Sequence, residues 1–217
     1  MRGYVQQQSS NTLYFDVKYG SICETSKKER DGFETIKVID VSTGEELTKH
    51  IRRYDTIEAL ITKIEWRDTR QQYATRFQSW EIHLLNSQNE PAVLRLPLKS
   101  SASDRFMKCA ENIDFARPVE FRAWKDTRGE REKTAFYIGQ RVNESDEKSV
   151  KVDQKYKQGD MGECPEGVEE LDGWNFAAQR KFLYTQMINV VIPKVEAVNA
   201  MRRQESPPND EVDEYPF

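Results

Sequence analysis

The chain has 217 residues, of which 37% are hydrophobic and 32% are charged, and its net charge at pH 7 is -4. The mean hydropathy is -0.83, and the longest apolar run covers only residues 187–192. An integral membrane protein is therefore excluded, because a spanning helix needs about 20 apolar residues. Cys23, Cys109 and Cys164 are too few and too far apart for a disulfide framework or a zinc site. The N-terminus has no signal-peptide pattern, so we expect a protein of a reducing cytoplasm. We also expect the protein to carry no cofactor and no metal.

Acidic residues are concentrated in two segments of the C-terminal third of the chain. Residues 143–173 contain ten acidic and four basic residues, and residues 204–217 contain five acidic residues and no basic one. Such segregation is typical of solvated or interacting segments. We therefore predict a folded domain at 12–142, an acidic linker or long loop at 143–173, a helical segment at 174–203 and a disordered acidic tail at 204–217.

Alternating apolar residues predict strands through most of the folded domain. Residues 12–19 and 33–41 form an N-terminal β section with a charged turn between them. In the next predicted strand the parity of the apolar residues changes between Ile61 and Ile64, which indicates a β-bulge. Further strands are predicted around residues 80–84, 92–98, 118–123 and 134–140.

A helix is predicted in the middle of this central block. Ser101 and Asp104 match a capping box, and apolar residues then recur at helical spacing. The resulting order, β-β-β-α-β-β, is typical of the OB fold. We therefore predict a mainly β protein: an OB-fold five-stranded barrel with a helix between strands 3 and 4, an extra N-terminal β section, and a C-terminal helix at 174–191 that Pro193 ends or kinks.

The loops between strands 1 and 2 and between strands 4 and 5 of the predicted barrel mix basic and aromatic residues. OB folds bind oligonucleotides with these loops and with strands 2 and 3. Cations attract phosphates, and flat rings stack on unpaired bases at roughly 1–3 kcal/mol per base. The sequence therefore predicts a nucleic-acid-binding site formed by Arg67, Arg70, Tyr73, Arg76 and Phe77 in the first loop and by Arg122, Trp124, Lys125, Arg128, Arg131 and Lys133 in the second.

Trp124 has two possible environments. Its strand directs Val119, Phe121 and Ala123 inward, so Trp124 points outward. There it either stacks on a ligand or is covered by the N-terminal strands or the C-terminal helix. Trp80 and Trp66 keep the parity of apolar neighbours, so we expect both to face the core.

Residues 209–217 form a separate motif at the end of the chain. An acidic run of Asp210, Glu211, Asp213 and Glu214 is followed by Tyr215 and by the terminal pair Pro216 and Phe217. This resembles the C-terminus of bacterial and phage single-stranded DNA-binding proteins, whose acidic tail ends in Pro-Phe. The resemblance implies single-stranded DNA binding in replication, recombination and repair. It also implies that the tail recruits replication and repair proteins, with its terminal ring in an apolar pocket and its carboxylate on a basic residue.

Several features depart from that family. Tyr215 stands where an aliphatic residue is usual, and the N-terminal β section and the helix at 174–191 are additions to the minimal bacterial protein. These differences favour a divergent phage-type protein, located in a bacterial cell or in the cytoplasm of a phage's host. The bacterial tetramer is not carried over, although a homo-oligomer is compatible with the sequence.

No catalytic motif is recognisable, since the chain has no phosphate-binding glycine loop, Cys-x-x-Cys, nucleophile elbow or His-Glu-x-x-His. We therefore predict a non-enzymatic protein that coats single-stranded DNA. An alternative is an OB-like protein-interaction or structural module, with Trp124 buried at an interface. A third interpretation is a nuclease whose carboxylates, such as Glu58, Glu65 and Glu81, meet only in the folded chain.

Overall fold

The structure is a computed structural model that describes residues 12–26, 28–39, 43–69, 77–128, 133–143, 145–157, 159–170 and 173–205. Its strands are β1 (Leu13–Lys18), β2 (Ser21–Ser26), β3 (Glu34–Ile39), β4 (Glu46–Tyr54), β5 (Thr56–Asp68), β6 (Gln78–Leu85), β7 (Pro91–Pro97), β8 (Val119–Asp126), β9 (Lys133–Gln140), β10 (Val150–Lys151), β11 (Val168–Glu170) and β12 (Gly173–Asn175). Its helices are α1 (Ser101–Cys109), followed by a 3-10 turn (Ala110–Asn112), α2 (Ala177–Gln186), a π-helical segment (Met187–Val191) and α3 (Ile192–Glu205).

The protein is mainly β, as predicted, but the predicted OB-fold five-stranded barrel with a helix between strands 3 and 4 is wrong. Ten strands form one open mixed sheet in the order β10-β9-β8-β5-β6-β7-β1-β2-β4-β3, and β11 and β12 form a separate hairpin. Strand β1 pairs with β7 in parallel, with Leu13 beside Ala92 and Asp16 beside Arg95. Closing a five-stranded barrel needs the free edge of β7. The N-terminal β section occupies that edge and continues the sheet to β3.

The predicted β-bulge in the long strand β5 is confirmed. The pairing register between β5 and β6 shifts between Ile61 and Lys63. Because the shift changes the parity of the strand, Ile61 and Ile64 are both buried, at 0% and 3% exposure. Residues 56–59 of β5 pair with β8, and its pairing with β6 begins at Leu60.

One apolar core joins the sheet to the helices. The prediction that Trp80 faces the core is confirmed, because its side chain is fully buried and its ring contacts Trp66 and Tyr184 at centroid distances of 5.0 and 5.5 Å. Trp66 is partly buried against the same core. Helix α1 packs on β9 and β7.

The N-cap of α1 is one residue earlier than the capping box predicted from Ser101 and Asp104. Ser100 caps the helix, since its hydroxyl accepts a hydrogen bond from the Ser103 backbone N–H at 3.1 Å. The Asp104 carboxylate instead accepts two hydrogen bonds from Arg180 of α2, each 3.2 Å long. Asp104 thus ties the two helices together.

The C-terminal helix begins at Ala177 rather than Trp174 and continues past Pro193. Proline lacks the N–H that an α-helix needs, but the helix widens just before it: the Ile192 N–H donates to the Met187 carbonyl five residues back. The buried side chains of this helix recur every four residues, at Leu183, Met187, Val191 and Val195. This spacing keeps one face on the core across the π-helical segment.

The acidic segment predicted as a linker or long loop at 143–173 contributes to the same core. In its described parts, residues 143, 145–157, 159–170 and 173, four side chains are buried: Val152, Tyr156, Met161 and Cys164. None of the described helices is long and apolar enough to cross a membrane.

Candidate nucleic-acid interface

Trp124 lies on the outer surface of β8 and is 45% exposed. Alternation along the strand buries Phe121 and Ala123 and directs Arg122 and Trp124 outward. The Arg122 guanidinium lies 5.6 Å from the centre of the Tyr137 ring on β9. A cation and two aromatic rings are therefore adjacent on this surface, which we call the β8 patch: Arg122, Trp124, Lys133 and Tyr137. Lys125 is exposed at the end of the strand, but it has the parity of Phe121 and Ala123 and so lies on the opposite face from Trp124.

Glu120, on the same face of β8, is nearly buried at 7% exposure, although the alternation directs it outward. It forms an ion pair with Arg122, and this contact raises the pKa of the guanidinium. Arg122 thus stays charged, but part of its charge is neutralised. Lys133, which is exposed at the other end of the patch, adds a further positive charge there.

The loop between β8 and β9 begins with a local ion pair. The Asp126 carboxylate accepts hydrogen bonds from the Arg128 guanidinium at 2.8 and 2.9 Å and one from its backbone N–H at 3.2 Å. These contacts lower the pKa of Asp126 to about 2. Asp126 is therefore ionised at neutral pH and offsets the charge of Arg128. Arg131, the other arginine predicted here, lies outside the described residues.

The loop between β5 and β6 presents Arg67 and Phe77 at its two ends. Phe77 is 43% exposed, and its backbone is fixed by hydrogen bonds of 3.0–3.2 Å with Thr69. Arg67 donates a 2.8 Å hydrogen bond to Glu81. The remaining predicted residues of this loop, Arg70, Tyr73 and Arg76, lie outside the described residues.

Pairing along β5 does not bring the two predicted loops together. Thr56, at the start of β5, pairs with Arg122, whereas Arg67 is near the other end of the strand. The two groups are connected across the sheet instead. Gly20, in the turn between β1 and β2, packs against Lys125, and its N–H donates a 3.0 Å hydrogen bond to the Thr134 hydroxyl on β9.

The surface that connects the two loops is the outer face of β5, β6, β7 and β1. The strand registers align its side chains in three cross-strand rows. The rows are Lys63–His83–Val93–Tyr14, Glu65–Glu81–Arg95–Asp16 and Arg67–Ser79–Pro97, and the last leads toward Lys18 at the end of β1. Adjacent strands are about 4.8 Å apart, so this face is about 14 Å wide from β5 to β1.

Two exposed tyrosines, one on the outer face and one in the turn that follows β1, are not among the residues predicted from the sequence. Tyr14 is 45% exposed with the Arg95 guanidinium 5.5 Å from its ring centre, and Tyr19, in the β1–β2 turn, is 37% exposed. The signal was present, since Tyr14 alternates with the buried Phe15. However, only the pairing of β1 with β7 shows that Tyr14 shares a surface with Arg67 and Phe77.

Carboxylates on this face are neutralised by neighbouring cations. Asp16 contacts Lys18 at 2.8 Å and Arg95 at 3.0 Å, so two cations share one acid. Arg67 holds Glu81, and the Lys63 ammonium and His83 together hold Glu65 and lower its pKa. The face is therefore polar and rich in cations, with acids that fix the positions of those cations.

Glu65, Glu81 and His83 are the group of described residues whose geometry approaches that of a metal site. One ligand atom from each lies within 4.8 Å of the others. In this arrangement Lys63 and Arg67 already occupy the carboxylates, so the group acts as an ion-pair network. Glu58, the third acid considered in the sequence, lies elsewhere and pairs with Arg141 at 2.8 Å.

The predicted partner-binding tail, Asp210, Glu211, Asp213, Glu214, Tyr215, Pro216 and Phe217, lies outside the described residues. No protein-family model matches the chain, and neither a search of curated proteins nor one of solved structures found a match.

Proposed function

We propose that this protein binds single-stranded DNA without chemical change to it, on the outer face of β5, β6, β7 and β1 and on the β8 patch. We also propose that its acidic tail recruits proteins of replication, recombination and repair. The proposal for the tail depends on the sequence motif that ends in Phe217. The proposal for the face depends on the arrangement of exposed rings and cations.

The observation that carries the proposal is a set of exposed aromatic side chains on a surface that also carries cations. The rings are Tyr14, Tyr19, Phe77 and Trp124. Arg95 lies 5.5 Å from the Tyr14 ring centre and Lys18 lies 5.8 Å from that of Tyr19. An unpaired base is able to stack directly on an exposed ring, and each stacked base contributes roughly 1–3 kcal/mol of binding free energy. Cations on the same surface attract the phosphates between the bases.

The exposure of Trp124 helps to decide whether its ring stacks on a ligand or is covered by another part of the protein. The N-terminal section does contact β8, but it does so through Gly20 on Lys125, whose side chain alternates with that of Trp124. The Trp124 side chain remains 45% exposed. This favours stacking on a ligand over the alternative of a protein-interaction module with a buried Trp124.

Fluorescence anisotropy with labelled oligo-dT, oligo-rU and a duplex of equal length tests the proposal. We expect oligo-dT to bind more tightly than the duplex, because stacking on the exposed rings needs unpaired bases. Binding to the duplex alone, or to none of the three, contradicts it. Recovery of cut oligonucleotide after incubation with Mg²⁺ or Mn²⁺ would support the nuclease interpretation instead.

A further inference from the structure

We propose that single-stranded DNA continues past the outer face into the cavity beside the first turns of α2, which binds one nucleotide through its base and its phosphate. This inference rests on the proposed function and extends the binding path beyond the predicted loops. The cavity has a volume of about 440 Å³, within the 300–1,000 Å³ range of small-molecule sites.

The wall of the cavity is aromatic and rigid. Trp66 and Tyr184 line it, with ring centroids 5.1 Å apart, and both rings rest on the fully buried Trp80. Leu98 and Ala177 line it as well. A flat apolar ligand therefore meets ring surfaces that are already held in place, which lowers the entropy lost on binding.

The rim of the cavity is cationic. Its charged lining residues are Lys99, Arg180 and Lys181, with no acid among the described lining residues. Arg180 is offset by Asp104, whereas Lys99 and Lys181 are exposed and form no ion pair with a described residue. Two unneutralised ammonium groups beside an aromatic wall fit a ligand that combines a flat ring with a phosphate.

The cavity adjoins the proposed interface through neighbouring residues of the chain. Trp66 precedes Arg67 and Gln78 follows Phe77. Since side chains alternate along a strand, Arg67 and Phe77 face outward while Trp66 and Gln78 line the cavity. Among the described residues, the path of a DNA strand from Phe77 to the cavity crosses the ends of β5 and β6.

The test compares oligo-dT of about 6 and about 16 nucleotides, which span the site sizes of single domains. Ala177→Trp fills the cavity without removing a core side chain. A second variant, Lys99→Glu with Lys181→Glu, reverses the rim charge and is used if Ala177→Trp fails to fold.

The matched control for the charge reversal is Lys148→Glu with Lys151→Glu, which changes two exposed lysines and gives the same total charge change. We expect the cavity variants to lose about tenfold or more in affinity for the long oligonucleotide. Affinity for the short one and that of the control should change much less.

Each other outcome has a distinct meaning. If the cavity variants bind both lengths as the control does, the inference is wrong while the proposed function stands. If the unchanged protein binds neither length, the proposed function fails and the inference fails with it. If a peptide of residues 205–217 binds the protein and Ala177→Trp abolishes that binding without affecting oligo-dT, the cavity is a site for the tail and the inference is overturned.

Discussion

Two exposed tryptophans show how a side chain's surroundings decide its role. Trp124 is 45% exposed and lies on the same face of the sheet as Arg122 and Lys133. Trp174 is 60% exposed, stacks on Phe176 and pairs with Glu169 in the acidic hairpin β11–β12. A ring among cations suits a phosphate-linked base, and a ring among acids does not.

Replacing Trp124 with Ala should weaken binding of oligo-dT by about 1–3 kcal/mol and leave the Tm nearly unchanged, because the ring is outside the core. Trp174→Ala is the matched control and should leave affinity unchanged. Anisotropy titration and thermal unfolding measure the two quantities. A large fall in the Tm of Trp124→Ala would place the ring in the core or an interface.

Asp126 limits the charge available in the loop between β8 and β9. Because its pKa is about 2, it is ionised throughout the neutral range and Arg128 stays paired. Asp126→Asn should therefore raise affinity for oligo-dT and steepen its salt dependence by about 0.7 in log–log slope for one more phosphate contact. Glu169→Gln removes an exposed charge on β11 and serves as control. Unchanged or weaker binding by Asp126→Asn would show that this loop is not part of the interface.

Parity along strands predicted the direction of single side chains well. It placed Trp80 inward and Trp124 outward, since alternation is local and needs no knowledge of the partner strand. It could not select Tyr14 or Arg95 for the interface. Their proximity to Arg67 arises from a parallel pairing between residues about 80 positions apart, which no local pattern encodes.

The turn between β1 and β2 joins the two parts of the interface. Gly20 has a φ of +69° and lies so close to β8 that an added Cβ would be 2.8 Å from the Lys125 Cβ. Glycine is required here both for the left-handed backbone and for the close approach.

Gly20→Ala should destabilise the fold and weaken oligo-dT binding, because the turn must move away from β8. Gly44→Ala is the matched control: Gly44 has a φ of +72° with nothing within 4 Å, so only the backbone cost of about 1–2 kcal/mol applies. Chemical denaturation and anisotropy compare the two variants. Equal effects of both on affinity would show that the Gly20 contact does not position the interface.

Strands β2 and β4 escaped sequence prediction because their composition is polar. Their fully buried apolar side chains are Ile22 and Cys23 in β2 and Ile51 in β4, and the rest of both strands is mostly charged or hydroxyl-bearing. These strands pair with each other, and β2 also pairs with β1 and β4 with β3. Apolar periodicity is weak in such strands, and so the predicted N-terminal section contained two strands instead of four.

At the scale of the whole molecule, the order of elements was predictable and the closure of the sheet was not. The strands β5 to β9 follow the predicted spacing, but hydrogen bonding at the edge of β7 decides whether a barrel closes. That edge pairs with β1, and the sheet stays open. The C-terminal helix is integrated through fully buried Leu183 and Met187, which its amphipathic pattern did suggest.

The tail should contribute to partner recruitment rather than to DNA binding. Deleting residues 205–217 removes five acidic residues and the terminal Phe217, so affinity for oligo-dT should stay the same or rise slightly at low salt. Capture of a replication protein should be lost, and deletion of Phe217 alone should cause most of that loss. Anisotropy and pull-down assays measure the two effects. Loss of DNA binding on truncation would contradict this division.

The salt dependence of binding to single-stranded and duplex DNA shows whether the outer face and the β8 patch bind unpaired DNA through phosphates and bases. If the outer face and the β8 patch contact about four to six phosphates, affinity for oligo-dT should fall roughly 50- to 300-fold between about 50 and 200 mM salt. Oligo-dT should also bind more tightly than the duplex throughout that range, because stacking on exposed rings needs unpaired bases. An affinity for oligo-dT that does not change with salt, or a consistent preference for the duplex, would contradict the account.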